Sequence, residues 1–302
     1  MAIIKNYYQT LYHCPIVQLS HYSTAHALKG NIYAYLDFGG ATGSAKDGLA
    51  EGMIALAYES GKLLPKQQII EASSSTFAVA LTIAARAAGH PVQLVVPESL
   101  SAERQKLLKN VGAQLVFSNP QYGRVGAEQL AQKIAKEANA YYMNYFSNGD
   151  NLEYHRRMTG TAIVKEITKT RPSLVDAIVV GVGSGGTISG VGEQVRAWTN
   201  DVRMVAVEPY ECQAIGGGFL GKHKIPGIGA GFIPENYNPY VVDNVIAVSS
   251  GDAVRAAKEV LRADAIPACA SAGATLYAAR QLIEQGKSKN VLCIFSGRQL
   301  LE

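Results

Sequence analysis

The chain has 302 residues, 48% hydrophobic and 17% charged, with 28 basic against 24 acidic side chains and a net charge of +4. That length admits one large domain or two, and the composition is that of a soluble α/β enzyme. The mild charge, with no run of Lys or Arg, gives no footing for nucleic acid or a membrane surface, and no apolar run reaches the roughly 20 residues of a membrane span.

The four cysteines, Cys14, Cys212, Cys269 and Cys293, form no C-x-x-C pair and have no His at ligand spacing. A disulfide framework and a metal site are therefore not expected, and reduced thiols suit the cytoplasm. Residues 1–8 lack the apolar core of a signal peptide, so a soluble, cytoplasmic protein is the expectation.

In chain order, Pro15 to Leu19 reads as extended, and a polar stretch dotted with histidines follows. Asn31 to Phe38 alternates like a strand. Gly39 to Gly48 is a glycine-rich loop opening into a helix from Leu49 to Glu59, with Lys46 near its start. A lysine complements a helix dipole better at the other end, so Lys46 stands out there. Gln68 to Glu71 is a strand leading into Ser73-Ser74-Ser75-Thr76-Phe77, and a helix runs from Ala78 to Ala88. Four hydroxyls in a row exceed what one N-cap needs, which makes this a second candidate anion loop.

Strand Val92 to Pro97, helix Ser101 to Val111, strand Leu115 to Phe117 and helix Ala127 to Ala138 continue the β-α-β-α order of a mostly parallel sheet. Asn144 to Asn148 is a polar, aromatic loop, and His155 to Thr168 reads as one helix. Met204 to Val207 is a strand, Gly216 to Phe232 a long glycine-rich loop, and Asp252 to Arg262 a helix. Ala268 to Ala274 leads into a helix ending near Ile283, and Val291 to Phe295 is the last strand.

The stretch that organises the rest is Val180-Gly181-Val182-Gly183-Ser184-Gly185-Gly186-Thr187. Ala177 to Val182 is a β-branched-rich strand, and Ile188 to Trp198 continues as a helix. A strand, a glycine loop and a helix start present several backbone N–H groups to one phosphate. Gly181, Gly183 and Gly186 also spell G-x-G-x-x-G, with Glu208 at the end of the next strand, so a dinucleotide is a competing reading. A glycine turn with no ligand is the third.

Taken together, the chain resembles the cysteine synthase family, β-replacement enzymes of fold type II that depend on pyridoxal 5′-phosphate. The resemblance runs from about Pro15 to Gly297. It rests on Val96-Pro97-Glu98-Ser99 through Glu103-Arg104-Gln105-Lys106-Leu107-Leu108, on Gly183 to Thr187, and on Gly227-Ile228-Gly229-Ala230-Gly231-Phe232-Ile233-Pro234, in the family's order. It implies two twisted, mostly parallel sheets flanked by helices. Residues 38–143 would form a smaller domain, and residues 1–37 with 144–302 a larger cofactor domain.

It also implies roles. Lys46 would form the internal Schiff base with the cofactor and act as the catalytic base. Gly183, Ser184, Gly185, Gly186 and Thr187 would cradle the cofactor phosphate, and Ser271 would meet the pyridine nitrogen. A serine there cannot hold a full pyridinium, which favours β-elimination over transamination. The implied reaction takes an amino acid such as O-acetylserine through an aminoacrylate to which sulfide or another nucleophile adds. A homodimer follows by resemblance only.

Several residues depart from the family. Its Thr-Ser-Gly-Asn-Thr substrate loop stands here as Ser73, Ser74, Ser75, Thr76 and Phe77, where Thr76 would replace an asparagine at the cofactor ring and Phe77 cannot hydrogen-bond. Tyr145 stands where the family has a carboxylate-binding glutamine. With Gly229, these are the expected substrate residues. Buried contacts to a carboxylate are worth about 1.5–3 kcal/mol each, so these changes affect the choice of substrate before they affect the cofactor. Alternative donors or nucleophiles such as cysteine, homocysteine or an amine stay open. So does a paralogue of low activity acting through a protein partner. A nucleotide-dependent oxidoreductase would leave Lys46 and Ser271 unexplained. His155 and His223 read better as hydrogen-bonded structural histidines than as acid–base groups.

Overall fold

The computed structural model describes residues 7–12, 14–169 and 174–299. The start of the chain read above for a signal peptide lies, over residues 1–6, outside them. Contacts divide the chain into two compact units, one of Met1–Ala45 with Asn151–Glu302 and one of Lys46–Asp150. The sequence expectation had set the smaller domain at 38–143.

The first unit is built on a six-stranded sheet. Its strands are β1 (Ile16–Gln18), β2 (Asn31–Leu36), β7 (Ala177–Gly181), β8 (Arg203–Pro209), β9 (Asn244–Val248) and β10 (Asn290–Phe295), in the order β1-β2-β10-β7-β8-β9. Only the β1–β2 pair is antiparallel. Parallel strands are covered on both faces, and their apolar runs obey this residue by residue. Ala177, Val179, Val205, Val207, Val291, Cys293 and Phe295 enter one core, while Ile178, Val180, Met204, Ala206, Leu292 and Ile294 enter the other. The first core is closed by α1 (Ser20–Ala25), α9 (Ser250–Asp264) and α10 (Ala270–Glu284), through residues such as Tyr22, Val260, Leu276 and Ile283. The second is closed by α7 (Thr161–Ile167) and α8 (Gly186–Arg196), through Ile163, Ile188, Val191 and Val195.

The second unit holds β3 (Ile69–Glu71), β4 (Val92–Pro97), β5 (Gln114–Ser118) and β6 (Tyr141–Tyr142), all parallel in the order β5-β4-β3-β6. Ile70 and Val95 pack on Ala127, Ala131 and Ala135 of α5 (Gly123–Glu137). Its other helices are α2 (Lys46–Glu59), α3 (Thr76–Ala87) and α4 (Ala102–Asn110). α3 is an apolar helix whose buried residues include Phe77 to Thr82.

The single helix expected from His155 to Thr168 is two pieces instead, with a short helix ahead of them. α6 (Gly149–Tyr154) passes into a π-helical turn, His155–Gly160, before α7 begins. The cause is a close crossing with α8. A Cβ at Gly190 would lie 2.4 Å from the Leu152 carbonyl oxygen and 2.6 Å from the Arg156 nitrogen, and one at Gly160 would lie 2.7 Å from Gln194 Cβ. β9, β6 and α1 were not anticipated. Among the described residues no helix is long and apolar enough to cross a membrane.

Candidate active site

The expected site residues fall in two groups, one in each unit. In the first unit β7 stops at Gly181 and the loop to α8 leaves the carboxyl end of the sheet, where ligands of parallel α/β sheets bind. Gly185 is the residue before the helix and turns with φ +84°, a conformation that favours glycine. The backbone is packed too tightly for side chains. A Cβ at Gly183 would lie 2.3 Å from the Gly227 oxygen, and one at Gly186 would lie 2.0 Å from Asn151 Oδ1. No side chain caps α8, and among the described residues none accepts the N–H groups of Ser184 through Ile188. An 11-residue helix thus turns its positive end and a row of N–H donors towards one point. An anion is what this arrangement can hold.

The two hydroxyls of the loop are held from behind. Asn151 Nδ2 donates to Ser184 Oγ at 3.0 Å. His155 Nε2 lies 3.0 Å from Thr187 Oγ1, and its Nδ1 lies 3.0 Å from Thr159 Oγ1. Asn151 and His155 are four residues apart on one segment, and both are fully buried.

Ser271 is the second residue of α10, the helix that precedes β10, so it too sits at the carboxyl end of the sheet. It is buried, and its Oγ lies 3.1 Å from Cys269 Sγ. Gly229 turns with φ +68°, and its N–H donates to the Val182 oxygen at 2.9 Å. Its carbonyl lies 3.0 Å from His223 Nε2, while His223 Nδ1 accepts from Ile225 N–H. His223 therefore holds the Gly227–Pro234 loop in shape, a structural part. The approach to Lys46 is also fastened here: Ala45 N–H donates to the Ser296 oxygen, and Arg298 N–H to the Gly43 oxygen, each at 2.9 Å.

In the second unit Lys46 is the first residue of α2, three residues earlier than the sequence pattern starts the helix. Its Nζ stands 5.7 Å from the centre of the Tyr145 ring. Tyr145 in turn stacks on Phe77, with ring centres 4.0 Å apart and planes 21° apart. Phe77 is 1% exposed, so its ring serves packing against Tyr145. Ser75 is the N-cap of α3, accepting the Phe77 N–H at 3.2 Å, and its Oγ lies 2.9 Å from Ser73 Oγ. Arg104 Nε donates to the Ser74 oxygen at 2.8 Å and fixes the loop from the α4 side. Thr76 is exposed.

Sequence reasoning missed Glu71. This carboxyl ends β3, is 2% exposed and accepts the Tyr145 N–H at 3.2 Å. Burial pushes its pKa up to about 8, against the opposing pull of backbone N–H donors led by that of Tyr145. It ties the start of the serine loop to the aromatic pair. The only signal was a charged residue closing an apolar strand. Among the described residues no three His, Cys, Asp or Glu side chains gather to hold a metal.

A family model described as pyridoxal-phosphate dependent enzyme matches residues 9–297. The chain is 35% identical to the cysteine synthase of Buchnera aphidicola subsp. Schizaphis graminum, over 97% of this chain and 92% of that one. It is 32% identical to the cysteine synthase of Staphylococcus aureus, over 96% and 93%. Among solved structures, a cysteine synthase from Entamoeba histolytica superposes with a TM-score of 0.89 at 31% identity, covering 98% of this chain and 88% of that one.

Proposed function

We propose a reaction for a chain whose family is established: it belongs to the cysteine synthase family of pyridoxal-phosphate-dependent enzymes. It is a β-replacement enzyme that exchanges a leaving group on the β-carbon of a serine-derived amino acid for an incoming nucleophile. The donor is of the O-acetylserine type and the nucleophile is sulfide or a related thiol.

The observation that carries this reading is the loop ahead of α8, with N–H donors from Ser184 through Ile188 given to no other group of the described residues. Those donors suit a phosphate dianion, and the close packing at Gly183 and Gly186 leaves no room there for a side chain. Ser271, a buried neutral hydroxyl, suits a pyridine nitrogen that stays largely unprotonated. When bound, pyridoxal phosphate withdraws electrons from the substrate's α-carbon and so eases loss of the α-proton.

The chain's own residues do the rest. Lys46 would hold the cofactor through its amine, and the same amine would be the base that takes the substrate's α-proton and returns it. The hydroxyls of Ser73, Ser74 and Ser75 orient the substrate carboxylate. Thr76, at the exposed start of α3, would meet the cofactor ring. The Phe77–Tyr145 stack puts apolar surface where the family has polar contacts, which shifts the choice of donor. The enzyme works in the cytoplasm as a homodimer.

The test is the visible spectrum of the purified protein before and after O-acetylserine, with Lys46→Ala alongside. A band of lysine-bound cofactor in the wild type, absent from Lys46→Ala and changed by O-acetylserine, supports the whole reading. A band that O-acetylserine leaves unchanged but cysteine alters would move the donor. No band after reconstitution with cofactor overturns the assignment of Lys46.

A further inference from the structure

We propose that His155 is the positioning residue that reserves the Thr187 hydroxyl proton for an anion in the loop, by holding its own proton on Nε2. The inference rests on the reading that the Gly183–Thr187 loop holds the cofactor phosphate.

The argument is one of donors and acceptors. A neutral imidazole has one N–H and one bare nitrogen, and a hydroxyl has a single proton. His155 is fully buried and touches a threonine hydroxyl with each nitrogen, Thr159 through Nδ1 and Thr187 through Nε2, both at 3.0 Å. Two arrangements satisfy this chain. With the proton on Nδ1, Nε2 accepts from Thr187, whose proton then points away from the loop. Thr187 would present lone pairs to a bound phosphate, an arrangement that repels it. With the proton on Nε2, His155 donates to Thr187 Oγ1, Thr159 donates to Nδ1, and the Thr187 proton is directed into the loop.

The neighbouring hydroxyl is already set up in the second way. Asn151 donates to Ser184 Oγ, which leaves the Ser184 proton to point elsewhere. Asn151 and His155, one turn apart, back the two loop hydroxyls with N–H donors, so that both hydroxyls give their protons to the same side. The π-helical turn that starts at His155 sets Thr159 beside Nδ1, where it supplies the proton that completes the arrangement. The backbone N–H groups of the loop are donors whatever their surroundings; these two hydroxyls become donors only through what stands behind them.

The experiment has two arms. The first uses the unsubstituted holoenzyme labelled with 15N-histidine, in which the chain's six histidines are few enough to resolve and the His155 signals are those lost in His155→Gln. A neutral ring protonated on Nε2 is expected, and a ring protonated on Nδ1 or on both nitrogens overturns the proposal. The second arm titrates apoenzyme with pyridoxal phosphate. Thr187→Val and His155→Phe should each weaken binding about tenfold, the double variant should bind no worse than Thr187→Val, and His155→Gln, whose amide can donate, should stay within about threefold of wild type. If Thr187→Val leaves affinity unchanged, the phosphate reading of the loop fails. If Thr187→Val weakens binding and His155→Phe does not, the loop reading stands and the role of His155 is overturned.

Discussion

Glu71 shows how much a single buried group can govern. Its carboxyl is held protonated up to about pH 8, whereas in the unfolded chain it ionises near 4.5. The folded form therefore keeps a proton that the unfolded form has lost, and stability falls as pH rises from about 4.5 to about 8. Glu71→Gln copies the neutral form, so it should flatten that part of the pH–stability curve measured by urea unfolding. A slope unchanged by the substitution would mean that Glu71 is ionised in the fold. Lys46 and the glycine loop could be singled out as candidates because their signal is local, a few residues in one stretch. Glu71 and Asn151 were not, because the groups that give them a role, the Tyr145 amide and Ser184, lie far along the chain. The spelling of the serine loop was legible too, but the stacking of Phe77 on Tyr145 was not.

Among the elements, the strands with two apolar faces were read closely. β4 was placed to the residue, and β7, β8 and β10 differ only at their ends. The edge strand β9 escaped because a short apolar run after a long loop carries no period of its own. The broken helix around His155 escaped because its cause is a neighbour rather than its own sequence. Helix crossings of this kind make sharp predictions. A Cβ at Gly273 on α10 would lie 2.0 Å from the Ala253 carbonyl oxygen and 2.8 Å from the Ala257 nitrogen, both backbone atoms of α9. Gly273→Ala should cost about 2–3 kcal/mol, seen as a lower denaturant midpoint at unchanged m-value. Removing the α3 cap with Ser75→Ala should cost about 1 kcal/mol. Because Ser75 also stands in the proposed substrate loop, that variant should raise KM more than it lowers the midpoint.

For the molecule as a whole, the parallel topology was legible from the alternation of strands and helices. The chain enters the smaller unit at Lys46 and leaves it at Asp150, against the 38 and 143 expected from the sequence, both in stretches between the regular elements read there. Two cooperative blocks are expected in native-state hydrogen exchange, with β3 and β4 sharing one opening free energy and β7, β8 and β10 another. One common value for all five strands would contradict that. A tightly bound cofactor adds stability by mass action, so stripping pyridoxal phosphate should lower Tm by about 5 °C, and adding it back should restore the loss.

The strand order has a consequence for how the protein is made. β2 lies between β1 and β10, and β10 is also the neighbour of β7, so the middle of the larger sheet is filled by a strand that is synthesised after the other strands described. The smaller unit is a continuous stretch and is complete as soon as residue 150 has left the ribosome. The larger one must wait, its first strands without their partner, until Asn290–Phe295 emerges. A nascent chain in that interval exposes two unfilled strand edges, on β2 and on β7, which is the form most prone to aggregate or to recruit a chaperone. Premature stops anywhere before residue 290 should then yield insoluble product rather than a weakened enzyme, however much of the site they preserve.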